Sequence, residues 1–121
     1  MNAVALYACS ALLLVTALVH SVLGERRLIA PLLRSREGIL GSDLARFLLR
    51  FVWHFMSVLF AVIAASLIAH QQDASSGRTV LLIGTAIGVG GAGILDAVST
   101  RGRHIGWPLL VLIGAFALLA L

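Results

Sequence analysis

Five ionisable side chains lie within or beside long apolar segments, and their types could carry chemistry: His20, Glu25, His54, Asp96 and His104. Imidazole and carboxylate groups together suit Zn²⁺, Fe or Mn. Two histidines from different helices could instead hold a haem axially. A charged group at mid-bilayer costs roughly 2.5–3.5 kcal/mol on insertion scales, so such groups normally face a bundle interior and pair there. The residues therefore predict a polar site inside a bundle.

The composition places this bundle in a membrane. The chain has 121 residues, of which 60% are hydrophobic and 12% charged, whereas a soluble domain is about one quarter charged. Its net charge is +4, and all nine basic residues are arginines. The arginines lie between apolar runs and form no basic stripe, so the charge indicates membrane topology and argues against nucleic-acid binding.

The apolar segments predict an all-α integral membrane four-helix bundle with antiparallel up-down topology and a single transmembrane domain, 1–121. Segments of this kind must be about 20 residues long to cross a bilayer. The first lacks a preceding basic residue and a following small-residue cleavage site, so we expect it to be retained as a span. The predicted spans are about 3–23, 43–70, 79–99 and 104–121.

The longest connection, about 25–41, mixes arginines with aliphatic residues and is expected to lie in the membrane interface. Pro31 is expected to interrupt any helix there, and Ser42 or Asp43 can cap the helix that follows.

Arginine counts predict the orientation. The second connection contains Arg78 alone, and the other two connections, with the adjoining helix turns, contain eight arginines. The positive-inside rule places those two connections in the cytoplasm and both termini on the outer side. We expect a multi-pass protein of the bacterial inner membrane. The eight are Arg26, Arg27, Arg34, Arg36, Arg46, Arg50, Arg101 and Arg103.

The ionisable groups fall at a similar predicted depth. At a rise of ~1.5 Å per residue, His20, His54 and Asp96 lie ~6–9 Å inward of the nearest connection arginine, with His104 at the boundary. The predicted metal-site residues are His20, His54, His104, Glu25 and Asp96. On an ideal α-helix, however, His20 and Glu25 point ~140° apart.

Ion pairs and hydrogen bonds between helices are the alternative to a metal site. Glu25 could pair with Arg26, Arg46 or Arg50, and Asp96 with Arg101 or Arg103.

A stripe of polar residues at helical spacing follows the start of the second span: Arg46, Arg50, His54 and Ser57. Arg46 and Arg50 could guide an anion or a lipid headgroup inward. They could equally be arginines that reach back to lipid phosphates above one buried histidine.

The third span contains the pair Gly84-x-x-x-Gly88, which lets two helix backbones approach closely. This pair could pack within the bundle, or it could form the face of a homodimer.

Three short patterns carry a resemblance: His20-Ser-x-x-Gly24-Glu25-Arg, Arg50-x-x-Trp53-His54 and Arg101-Gly-Arg103-His104-x-x-Trp107-Pro108. With them, most of the chain resembles small uncharacterised four-span proteins of bacterial inner membranes. The resemblance implies no named activity, but it favours a role for the histidines and Glu25.

Three functional hypotheses follow. The leading one is a membrane protein that binds a transition metal (Zn or Fe) or haem. The second is a small transporter or a proton- or ion-coupled carrier that acts as a dimer. The third is a non-catalytic accessory subunit of a membrane complex. No nucleophile elbow, phosphate loop or dinucleotide motif occurs in the sequence, so whether the protein is an enzyme stays open.

Overall fold

The computed structural model describes residues 3–121, and these are all-α with no strand. Three helices are long and apolar enough to cross a membrane, by length and composition. A fourth, shorter helix is also apolar. The helices are α1, Ala3–Arg34; α2, Asp43–Gln72; α3, Ala74–Thr100; and α4, Trp107–Leu119. The all-α prediction and the number of helices are thus confirmed.

The fourth helix is shorter than the predicted span 104–121. Its 13 residues extend ~20 Å at ~1.5 Å per residue. The chain first has to turn after α3, where Arg101 and Gly102 adopt positive φ values of 53° and 73°. Pro108 lies in the first turn of α4, where a missing backbone N–H costs nothing.

Near its middle, α1 changes from an α-helix to a π-helix. From Val19 to Ile29 it is a π-helix, in which hydrogen bonds join residues five apart. The helix then continues through Pro31 to Arg34, where the sequence predicted an interruption. Because a π-turn is wider than an α-turn, the proline ring has room against the preceding turn.

The start of α2 is held by local polar contacts. The Ser42 hydroxyl accepts a hydrogen bond from the backbone N–H of Ala45 at 3.4 Å, which confirms its predicted capping role. Arg46 forms an ion pair with Asp43 and donates to the carbonyl of Leu40 at 2.6 Å. These contacts attach the 3-10 turn Gly38–Gly41 to the helix.

Each helix packs against its neighbour in the sequence, and glycines allow the closest approaches. A Cβ on Gly84 or Gly88 would lie 2.7 or 3.0 Å from Val62 or Val58 of α2. The Gly84-x-x-x-Gly88 pair therefore packs within the chain. Between α3 and α4 the contact is backbone against backbone, at Gly90 and Gly114.

Apolar side chains cover the outside of the described bundle, and its interior is small. Among residues 3–121, thirty large hydrophobic side chains are exposed, including Val4, Ile87 and Leu119. The buried hydrophobic residues of this range are Ala17, Ile29, Ala64 and Ala117. This distribution is the reverse of that in a water-soluble domain, and a lipid environment would accommodate it.

The connection between α2 and α3 contains the residue that caps α3, Asp73. The pKa of Asp73 is lowered from 3.8 to about 2 by hydrogen bonds from the Ser75 hydroxyl, then from the backbone and hydroxyl of Ser76. Because the folded-state pKa is depressed, this stabilisation is complete above 3.8 and is lost as the pH falls through about 2. Asp73→Ala should therefore speed amide hydrogen exchange at Ser76 near neutral pH, and much less at low pH.

Asp73→Asn is the matched control, because an amide keeps an acceptor oxygen but carries no titrating charge. It should preserve most of the protection and remove the pH dependence. Equal exchange rates in the alanine variant and the wild type at neutral pH would contradict the assignment of Asp73 as the cap.

Candidate functional site

A continuous run of polar contacts lies between α1 and α2. Arg50 Nη2 is 2.7 Å from Glu25 Oε1, and the other carboxylate oxygen, Oε2, is 3.2 Å from His54 Nε2. His54 Nδ1 is 3.0 Å from the Ser21 hydroxyl, which is 2.9 Å from the hydroxyl of Ser57. We call these five residues the relay.

The relay runs from an exposed end to a buried one. Arg50, His54 and Ser57 lie on one face of α2, spaced by four and three residues, and cover ~10 Å along the helix. The Arg50 side chain is 49% exposed, whereas Ser57 is 9% exposed. The stripe predicted from the sequence is therefore the α2 half of the relay, except that Arg46 binds Asp43 and Leu40 instead.

The π-helix in α1 supplies the other half. The ~140° separation of His20 and Glu25 holds for an ideal α-helix, but residues five apart return to the same face of a π-helix. Both side chains accordingly contact α2, His20 at the carbonyl of Trp53 and Glu25 at His54. Wide turns of this kind occur frequently at functional sites.

The hydrogen bonds constrain the protonation of His54. A carboxylate only accepts hydrogen bonds, so His54 Nε2 must carry a proton to bind the ionised Glu25. If the Ser21 hydroxyl donates to Ser57, then Nδ1 must donate to Ser21 and the ring is a cation. If the Ser21 hydroxyl turns towards Nδ1, the ring is neutral. Both states use the same heavy-atom positions.

His20 is held apart from the relay by Trp53. Its Nε2 donates to the Trp53 carbonyl at 3.1 Å, and the indole N–H donates to the His20 carbonyl at 2.9 Å. The two rings stack with centroids 4.1 Å apart. Gly24 makes room for the indole, because a Cβ there would lie 2.6 Å from it. These contacts fix the position of α1 against α2 beside the relay.

Asp96 and His104 form a second pair, at the α3–α4 turn. Asp96 is fully buried, and its Oδ2 lies 2.5 Å from His104 Nδ1. Thr100 donates to the Asp96 carbonyl at 2.7 Å and accepts a long hydrogen bond, 3.5 Å, from the His104 backbone. Arg103 donates to the Thr100 carbonyl. Asp96 thus pairs with His104 instead of the arginines considered from the sequence.

The predicted metal ligands are divided between these places. Glu25 and His54 meet in the relay, His20 lies beside it against Trp53, and Asp96 binds His104. Within residues 3–121, no group of three or more His, Cys, Asp or Glu side chains is arranged to hold a metal ion. The metal or haem centre stays a prediction, and the proposal below does not depend on it.

Sequence reasoning missed two contributors to the site. Ser21 joins His54 to Ser57, and Trp53 exchanges hydrogen bonds with His20. The available signal was a serine next to a histidine in a predicted span, since serines of membrane helices bond across helices.

Comparisons with protein-family models, with curated proteins and with solved structures gave no match for the chain.

Proposed function

We propose that the protein is an integral membrane protein whose four helices run up and down through the bilayer. The contacts of Ser21 with Ser57 and of Glu25 with Arg50 support this arrangement, because residue numbers rise along α1 as they fall along α2. The exposed apolar surface supports a lipid environment. Arginine counting places the Arg50 end of the relay at the cytoplasmic face of a bacterial inner membrane.

We further propose that the protein is a small carrier that moves protons across the membrane, and that the relay is its proton-binding site. One observation carries this proposal: both ring nitrogens of His54 have a relay partner, Glu25 at Nε2 and the Ser21 hydroxyl at Nδ1. Because the Ser21 hydroxyl can donate or accept, Nδ1 keeps its hydrogen bond whether or not it carries a proton. Glu25 and Arg50 provide the fixed charges beside it.

The extent of the relay favours a carrier over an open channel. The polar contacts begin at half-exposed Arg50 and end at buried Ser57, near the middle of α2. A site that is reached from one side and ends inside the bundle can load and release a proton when the helices rearrange. The dimer stays a prediction, and a second copy would need a face other than Gly84 and Gly88, which contact α2.

Proton uptake into proteoliposomes under an imposed membrane potential tests this function, with a pH-sensitive dye inside the vesicles. Wild-type protein should raise the uptake rate above that of protein-free vesicles. Ser21→Ala should lower the rate about tenfold, because it leaves His54 Nδ1 and the Ser57 hydroxyl without their partner, and about 1.4 kcal/mol corresponds to a factor of ten.

Ser10→Ala is the matched control, because Ser10 is buried on the same helix but donates to the Leu6 carbonyl within that helix. It should leave uptake unchanged. If wild-type vesicles are no faster than protein-free ones, or if both serine variants behave alike, the carrier assignment is wrong.

A further inference from the structure

A groove of about 670 Å³ lies between α2 and α3. One wall is a row of phenylalanines, Phe47, Phe51 and Phe55, whose neighbouring rings stack at 5.7 and 5.9 Å. The opposite wall is formed by α3, where Gly88 and Gly91 leave space. The volume is within the range of roughly 300–1,000 Å³ found for small-molecule sites.

The polar lining of the groove is a single row on α2. Arg46, Arg50 and His54 follow each other at four-residue spacing beside the phenylalanine row, and the described residues that line the groove include no aspartate or glutamate. Arg46 is already bound to Asp43 and the Leu40 carbonyl. The Arg50 side chain is half-exposed and binds Glu25 through Nη2. Since a guanidinium group has five N–H donors, Arg50 can also bind an anion.

The rest of the groove has the chemistry of a hydrocarbon chain site. Beside the polar row it is lined by phenylalanines and by aliphatic residues of α3, and two of these, Ile87 and Leu95, are 71% and 55% exposed. Beyond His54 the α2 lining is apolar, Phe55 and Val58. A ligand with one negative charge and a long apolar chain would match the polar row and the apolar lining. In a bilayer, the molecules of this description that surround the protein are anionic phospholipids.

We propose that the groove binds one anionic phospholipid, with its phosphate on Arg50 and one acyl chain along the phenylalanine row. This goes beyond the proposed carrier function, because lipid binding requires no proton transfer. Arginine suits the phosphate because its N–H groups match phosphate oxygens in a fork geometry. The acyl chain covers apolar surface that α2 and α3 leave open.

Native mass spectrometry of the full chain in neutral detergent, titrated with phosphatidylglycerol, tests the proposal. One lipid per chain should bind, and more tightly than zwitterionic phosphatidylcholine. Arg50→Gln should weaken phosphatidylglycerol binding about tenfold or more, as expected for losing charge-assisted hydrogen bonds. Arg34→Gln, which removes the same charge from the exposed end of α1, should not.

A second variant tests the groove itself in case Arg50→Gln folds poorly. Gly91 lines the groove, and a Cβ there would meet nothing within 4 Å, so the side chain of Gly91→Leu should occupy part of the groove and weaken binding of both lipids. Equal weakening by the two arginine variants, unchanged binding in Gly91→Leu, or binding of chain-free glycerol phosphate as tightly as phosphatidylglycerol would each overturn the proposal.

Discussion

Glu25→Gln should reduce proton uptake into proteoliposomes about 100-fold or more, close to the rate of protein-free vesicles. A glutamine amide carries no charge, so His54 loses the carboxylate that stabilises its cationic form. Arg50 loses its anionic partner at the same time. A hydrogen bond to a charged group contributes about 1.5–3 kcal/mol, and the upper end of this range corresponds to about 100-fold in rate. Measurement of the initial rate of internal acidification checks the prediction.

Glu37→Gln is the control for this variant, because it makes the same chemical change at an exposed residue of the α1–α2 connection. We expect its uptake rate to equal that of the wild type. A Glu25→Gln protein that folds normally and retains most of the uptake would show that the carboxylate only holds α1 against α2.

Gly114→Ala should be strongly destabilising although alanine is the better helix former. A Cβ at Gly114 would lie 2.5 Å from the Cα of Gly90 and 3.2 Å from the carbonyl oxygen of Ala86. These neighbours are backbone atoms, so no side chain can move aside. The gain in helix propensity is about 1 kcal/mol, and overpacking costs about 1–3 kcal/mol. Because the added Cβ meets backbone atoms, its overpacking cost should lie at the upper end of that range. We therefore expect a net loss of about 1–2 kcal/mol in the free energy of unfolding.

Gly91→Ala provides the comparison for this effect, since it makes the same substitution on α3 where a Cβ meets nothing within 4 Å. It should raise stability by up to about 1 kcal/mol through helix propensity alone. Unfolding of both variants in mixed micelles, followed by circular dichroism, separates the two effects. Changes of equal sign would contradict the close backbone contact between α3 and α4.

The helices could be predicted from the sequence because apolar segments of sufficient length have few alternatives. In lipid the backbone must satisfy its own hydrogen bonds, and a helix achieves this within one segment. The length of α4 was overestimated, because hydropathy does not distinguish residues 104–106 from the helix that follows them. The backbone turn at Arg101 and Gly102 displaces the start of α4 to Trp107.

The site could be predicted only in part, for a physical reason. Helical spacing on α2 correctly brought Arg50, His54 and Ser57 onto one face, because α2 is a regular α-helix. The same reasoning failed on α1, where the π-helix brings His20 and Glu25 round to α2 together. The composition of α1 does not indicate where an α-helix changes into a π-helix. The contact of Glu25 with His54 therefore could not be predicted from the sequence.

Similarity of depth was also insufficient to assign partners. His20, His54 and Asp96 were expected to lie at a similar depth, with His104 at the boundary, but a side chain also has a direction around its helix. His104 lies on the turn just after α3, and there it reaches Asp96, eight residues earlier in the chain. The resulting local pair leaves His104 outside the relay.

Nitrogen NMR of ¹⁵N-histidine-labelled protein in liposomes tests most directly whether the relay binds a proton at His54. We predict that His54 Nε2 carries a proton, and that Ser21→Ala shifts the His54 Nδ1 signal because that nitrogen loses its hydrogen-bond partner. His20, whose Nε2 donates to the Trp53 carbonyl, serves as an internal reference. A His54 Nε2 without a proton, or an Nδ1 signal that is the same in the wild type and in Ser21→Ala, would contradict the account.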